Sequence, residues 1–177
     1  DPSVKRRSGF LNPSFLNSAN LGRSVRIPYF YAIDNDKDFT LKTVLFSSEN
    51  PLYLGEYRQA FKNSYALLDF GFTEGYKKTS NAKTEGDKSH IFSNLLHNFS
   101  GKKGSKNSLE LKLQEVSDDK YFKLYNVKTK LINQDMNTIE KSIDFNHEKE
   151  DFYFNATAGV YETLQGNYND KYEYIFP

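Results

Sequence analysis

The sequence has no cysteine and no tryptophan, and only one methionine. Without cysteine there can be no disulfide, no thiolate metal ligand and no cysteine nucleophile, and the redox compartment cannot be read. No run of about 18 apolar residues occurs, so no helix is built to cross a bilayer. Mean hydropathy is −0.74. That value does not exclude membrane strands, which alternate apolar and polar residues. An excess of one charge is also missing: 24 Lys plus Arg stand against 23 Asp plus Glu. Nucleic-acid binding domains usually carry a strongly basic footprint, and this chain has none.

What the chain does have is aromatic residues, 13 Tyr and 15 Phe in 177 residues. Aromatics favour strands, and in outer-membrane barrels they gather at the two interfaces. The pattern along the chain agrees. Leu109, Leu111 and Leu113 alternate with Glu110, Lys112 and Gln114. Phe152, Phe154, Ala156, Ala158 and Val160 alternate with Tyr153, Asn155, Thr157 and Tyr161. This period of two predicts strands at roughly 8–16, 22–33, 38–48, 52–62, 65–75, 89–99, 108–116, 138–147, 151–162 and 171–176. Most of these are longer than the five or six residues usual in soluble sheets, and they match the roughly 9–11 a tilted strand needs to span a bilayer.

The connections alternate as well. Those at 34–37, 63–64, 100–107 and 148–150 are short, as is 49–51. Those at 76–88, 117–137 and 163–170 are long. Short turns at one end and long loops at the other are the habit of outer-membrane barrels. The Lys-, Asn- and Ser-rich stretch 77–89 reads as an exposed loop. The two ends read as cut, which predicts an internal piece of a longer chain.

Candidate chemical sites are few. Asp34, Asp36 and Asp38 open like a calcium loop, but the sixth position is Phe39 and the twelfth Leu45, so a polar turn is the better reading. His90, His97 and His147 lack ligand spacing, and His90 and His97, seven apart, should face opposite sides of one strand. Asn98 and Asn155 head formal glycosylation acceptors that matter only in a secretory eukaryotic setting. No catalytic triad, glycine-rich phosphate loop or isolated carboxylate pair stands out, and the reading predicts no enzyme, no metal and no cofactor. Lys5-Arg6-Arg7 reads as a solvated segment before the first strand, with contact to anionic headgroups as the alternative. Gly9 and Gly22 either bend the strand ends or serve as ordinary turn glycines.

Two prolines stand out. Pro13 and Pro28 fall inside the first two predicted strands, where a residue without an N–H is normally excluded. The segments around them, taken in order, carry a resemblance. They are RRSGFLNPSF (6–15), IPYFYAIDNDKDFTLKT (27–43), GEYRQAF (55–61), SDDKYF (117–122), TLQG (163–166) and KYEYIFP (171–177). This ordered set, spread over essentially the whole chain, resembles the barrel of the lipopolysaccharide-assembly family known as LptD or OstA.

The resemblance implies an all-β fold: an antiparallel up-and-down transmembrane β-barrel segment, about ten strands of a larger barrel, hence an open curved sheet. Residues 1–7 would end a periplasmic segment and 8–177 would form the N-terminal barrel strands. A preceding jellyroll and the later strands would lie elsewhere in the family's protein. It further implies an integral protein of the Gram-negative outer membrane, in contact with outer-membrane lipid, that transports lipopolysaccharide. An LptE-like plug lipoprotein and an LptA-like periplasmic bridge protein would be its partners. In the family, prolines of the first two strands weaken pairing beside a lateral gate. Pro13 and Pro28 sit at the matching positions, and with the first-strand residues Phe10, Leu11 and Asn12 they are the gate candidates; the alternative is that each proline only marks a strand edge or bulge, with no role in transport. The rival reading is a soluble or surface β-sheet module that binds carbohydrate through exposed aromatics, with its strands closed into a sandwich.

Overall fold

The computed structural model describes residues 6–18, 21–75, 86–101, 104–165 and 171–177. Among the described residues, eleven strands and one short helix follow in chain order. The strands are β1 (Gly9–Phe10), β2 (Ser14–Ser18), β3 (Gly22–Ala32), β4 (Lys37–Phe46), β5 (Leu52–Ala60), β6 (Ser64–Thr73), β7 (Lys88–Ser100) and β8 (Lys106–Val116). Helix α1 (Tyr121–Tyr125) precedes β9 (Thr138–Lys149), β10 (Phe152–Thr163) and β11 (Tyr172–Ile175). All strands belong to one sheet in the order β1-β3-β4-β5-β6-β7-β8-β9-β10-β11, with β2 also on β3. Every pairing is antiparallel, and all but that of β1 with β3 join strands adjacent in the chain. Among the described residues the fold is therefore an up-and-down meander that does not close, as the resemblance implied.

The two faces of the sheet differ in kind. On one, the outer face, lie Leu41, Tyr53, Phe70, Ile91, Leu95, Leu111, Leu113 and Ile143, all well exposed. Leu95, Leu111, Ile143 and Ala158 form one row across β7 to β10. Toward the short turns this aliphatic band gives way to aromatic rings, with Phe99, Phe145 and Phe154 spaced 6.4 Å apart in sequence. His97 stacks on Phe99 there, and its Nδ1 meets Ser64 Oγ at 2.7 Å. The opposite, inner face is polar along its middle. Asp38, Arg58 and Glu56 lie on β4 and β5, and Asn94, Glu110, Lys112, Glu140, Ser142 and Asp144 lie on β7 to β9.

The first strand departs from its prediction. The expected unit 8–16 is split into β1 and β2 by Leu11, Asn12 and Pro13. The register shows why. Phe10 pairs with Tyr29, and the Leu11 N–H donates to the Pro28 carbonyl at 2.9 Å, but Ser14 pairs with Arg26. Asn12 and Pro13 thus stand against Ile27 alone, the two-against-one count of a β-bulge.

The long connection 117–137 also departs from a plain exposed loop. It turns inward, forms α1 and builds the hydrophobic core. Tyr121, Phe122, Tyr125, Val127 and Ile132 are buried with Leu21, Val44, Leu52, Leu54, Phe92, Ile139 and Leu164. These partners come from both flanks of the sheet, so its long-loop end wraps around the segment. Asp118 starts the helix: its carboxylate accepts from the Lys120 N–H and its carbonyl from the Tyr121 N–H, each at 3.0 Å. Asn126, in the left-handed region at φ 51°, ends it. The expected loop 77–89 lies largely outside the described residues.

Candidate functional site

Two places concentrate unusual chemistry: the junction of the first strand with β3, and the inner face under the 117–137 segment.

At the junction, ladder geometry assigns the missing donors. In an antiparallel sheet a hydrogen-bonded pair exchanges two bonds, N–H to C=O in each direction. Leu11 and Pro28 form such a pair, since Leu11 donates to Pro28. The return bond cannot form, because Pro28 has no N–H. On its other side Pro28 pairs with Lys42 at a position without ladder bonds, since the donating positions of β3 toward β4 are the odd ones, as Ser47 N–H to Arg23 C=O shows. Pro28 therefore weakens only the contact with the first strand. The next position along that contact is the bulge that holds Pro13. Both prolines act on one junction, although Pro13 lies between strands rather than inside one.

The rest of the predicted set gathers there. Phe10 is 75% exposed on the outer face, edge-on to Tyr29 at 5.0 Å. Leu11 is half exposed, and Asn12 and Pro13 are exposed. Phe15 is 78% exposed and pairs with Val25 on the same outer face. Gly22 adopts φ 75° at the start of β3, a turn glycine, while Gly9 needs no such conformation. Arg6 is not merely solvated. It pairs with Asp38 and lies 5.4 Å over the Phe30 ring. Asp38, in turn, accepts from Arg58 at 2.7 Å. Asp34 and Asp36 lie in the β3–β4 turn, where the Asn35 N–H donates to the Asp34 carboxylate at 2.7 Å.

Under the 117–137 segment, His90 is buried between two partners. Its Nε2 lies 2.9 Å from Asp69 Oδ1 and its Nδ1 3.3 Å from the Tyr121 hydroxyl. A single tautomer satisfies both: Nε2–H donates to Asp69, and Nδ1 accepts from Tyr121. Burial pushes the Tyr121 phenol pKa up, which keeps that proton in place. Gly71 sits directly across from both Leu54 and His90. A Cβ there would come within 2.6 Å of His90 and 2.8 Å of Tyr121 Oη, so only glycine admits the docked ring. His97 faces the opposite side of the same strand, as its spacing required. At the rim, Lys88 bonds Asp118 at 2.9 Å and Lys171 bonds Glu162 at 2.8 Å, with Asp119 at 3.5 Å. The bond to Glu162 holds the Lys171 pKa above its ordinary value.

Sequence reasoning found the first group through the prolines. It missed the second, because Asp69, His90 and Tyr121 come from two strands and a loop and share no spacing. The SDDKYF segment was the available signal: an Asp pair followed by aromatics in a region expected to be polar.

No family model matches the chain. It is similar to the LPS-assembly protein LptD of Francisella tularensis subsp. holarctica, 30% identical over 101 residues, or 54% of this chain and 12% of that protein. It is also similar to LptD of Idiomarina loihiensis, 29% identical over 119 residues, 67% of this chain and 15% of that protein. A shorter match of 54 residues to LptD of Methylococcus capsulatus reaches 37% identity. The matched stretch is thus a small part of the relatives' length, and the likenesses support a relationship to the LPS-assembly family across about half to two-thirds of this chain.

Proposed function

We propose that this chain forms the first strands of an outer-membrane barrel that transports lipopolysaccharide and inserts it into the outer leaflet. The likeness to LptD carries the reading. The sheet supports it physically. An exposed apolar face beside a polar inner face is what a barrel wall in a bilayer requires, with lipid outside and saccharide inside. A carbohydrate-binding sandwich would need a second sheet over one face, and the described residues form a single sheet.

In this reading the long-loop end faces the cell exterior and the short turns face the periplasm. The first strand and β3 flank a lateral gate, with Pro13, Pro28, Phe10, Leu11 and Asn12 at its edge. Pairing lost there lowers the cost of separating the strands, because backbone bonds in a bilayer have no water to replace them. The lipid would leave sideways while its sugars stay in the polar interior. An LptE-like plug lipoprotein and an LptA-like bridge protein are the expected partners, and no bond is made or broken.

The test uses the full-length protein in its own membrane. Replacing Pro13 and Pro28 together by valine should restore donors and reduce the lipopolysaccharide reaching the cell surface by several-fold, read by surface labelling, with barrel levels unchanged. Unreduced delivery would remove the gate role. Recovery of the protein from the soluble fraction would remove the barrel reading altogether.

A further inference from the structure

The charges of the inner face are nearly all matched. Arg58 and Arg6 hold Asp38, Lys88 holds Asp118, and Lys112 meets Glu140. Beside the first strand, two cations break the pattern. Arg26 and Lys42 project from the inner side of β3 and β4, and among the described residues neither has an ion pair. The Arg26 Nε is buried with no hydrogen-bond partner. A buried donor of a charged group is costly to leave unmet, so an unmet one calls for an explanation. Neither carboxylate of the neighbouring strands pairs with Arg26: Glu56 turns to Arg58 at 3.6 Å, and Asp69 meets His90 through Oδ1 while its buried Oδ2 has no hydrogen-bond partner.

Position makes the pair specific. Lys42 lies directly across from Pro28, and Arg26 lies two residues before Pro28 on the same face. Arg26 is also the cross-strand partner of Ser14, just past the bulge. Diagonal neighbours of this kind stand about 7–8 Å apart, a span that two long cationic side chains can close around one tetrahedral anion. The other half of the inner face is acidic: Glu110, Glu140 and Asp144 surround Lys112. An anion inside the curve of the sheet is therefore repelled from β8–β10 and drawn toward β3 and β4.

We infer that Arg26 and Lys42 form a binding site for a phosphate monoester on the saccharide headgroup of the transported lipid, on the inner side of the junction between the first strand and β3. This rests on the transport reading above and adds the residues and the chemical group they hold. The pair would dock the phosphate beside Pro28, so that the acyl chains meet the weakened junction while the sugar stays inside.

The probe is a bis-phosphorylated glucosamine disaccharide without acyl chains, titrated onto the full-length protein in detergent. The expected result is saturable binding that weakens with salt. Affinity should fall at least tenfold in the Arg26→Gln/Lys42→Gln double variant and stay unchanged in Lys112→Gln. If the double variant does not fold, Lys42→Gln alone should lose at least threefold. Equal affinity in these variants overturns the site. Equal binding of the unphosphorylated disaccharide, or of inorganic phosphate alone, overturns the assignment to a sugar phosphate. Lipopolysaccharide delivery by the parent protein is measured in parallel. Delivery with an unaffected double variant removes only the cation pair, whereas no delivery by the parent removes the transport reading.

Discussion

The junction of the first strand with β3 and the block from β6 to β9 use the same antiparallel ladder and differ in everything that holds a ladder together. The first strand offers two and then five paired residues, interrupted by a bulge and faced by a proline. Its side chains are almost all exposed. Between β7 and β8 eleven consecutive residues pair without interruption, and Phe92 and Tyr121 beneath them are fully buried. Pairing alone does not fix a strand in place. Continuity of register and a packed face do, and only the second region has both.

Truncation of the packed region should have the largest effect. Tyr121→Ala removes a buried aromatic and leaves His90 Nδ1 without its donor, at a cost of about 3–5 kcal/mol. The urea midpoint of the folded protein in detergent should fall markedly, with the slope unchanged. A shift as small as that of an exposed-surface variant would show that the 117–137 segment is not anchored as described. A smaller effect of opposite sign is expected at the weak junction. Pro28→Val restores one donor opposite Leu11, worth about 0.5–1.5 kcal/mol. Hydrogen exchange at residues 9–18 should slow up to about tenfold while β7 and β8 remain as before. Equal exchange in both proteins would mean that Pro28 does not limit the junction.

The smallest effect is expected at the rim. Lys171→Gln loses the bond to Glu162, a partly exposed pair worth less than about 1 kcal/mol. Because the folded state raises the Lys171 pKa, the contribution is present below the ordinary lysine value of about 10.4 and fades as pH rises beyond it. Parent and variant should therefore differ slightly at pH 8 and converge at alkaline pH, once the raised lysine pKa has been passed. A difference that persists there would point to packing rather than charge.

The contrast also marks what could be read from the sequence. Alternation revealed the regular strands, because Leu109, Leu111 and Leu113 must share a face wherever one side is apolar. The long and short connections followed from the same boundaries. Pro13 hinted at an edge or a bulge, but the place of the bulge in the register was hidden, because period-two reasoning assumes one residue against one. Helix α1 was hidden because five residues are too few to show a helical period. It exists because Phe92, Leu54 and Phe46 provide a surface for Tyr121, Phe122 and Tyr125, a fact of tertiary contact. The unmatched pair Arg26 and Lys42 could not be seen either, since in sequence they look like any other cations among acids.

The bulge carries one further consequence, visible as simple counting. Phe10 and Phe15 are five residues apart, an odd interval that would send them to opposite faces of a regular strand, yet both lie on the outer one. Removing any one residue from 11–13 would make the interval four. Both rings would keep their present side, and the first strand could run unbroken along β3. The extra residue is thus dispensable for the sidedness of the wall, and one lost codon would separate a loosely held first strand from a continuous one.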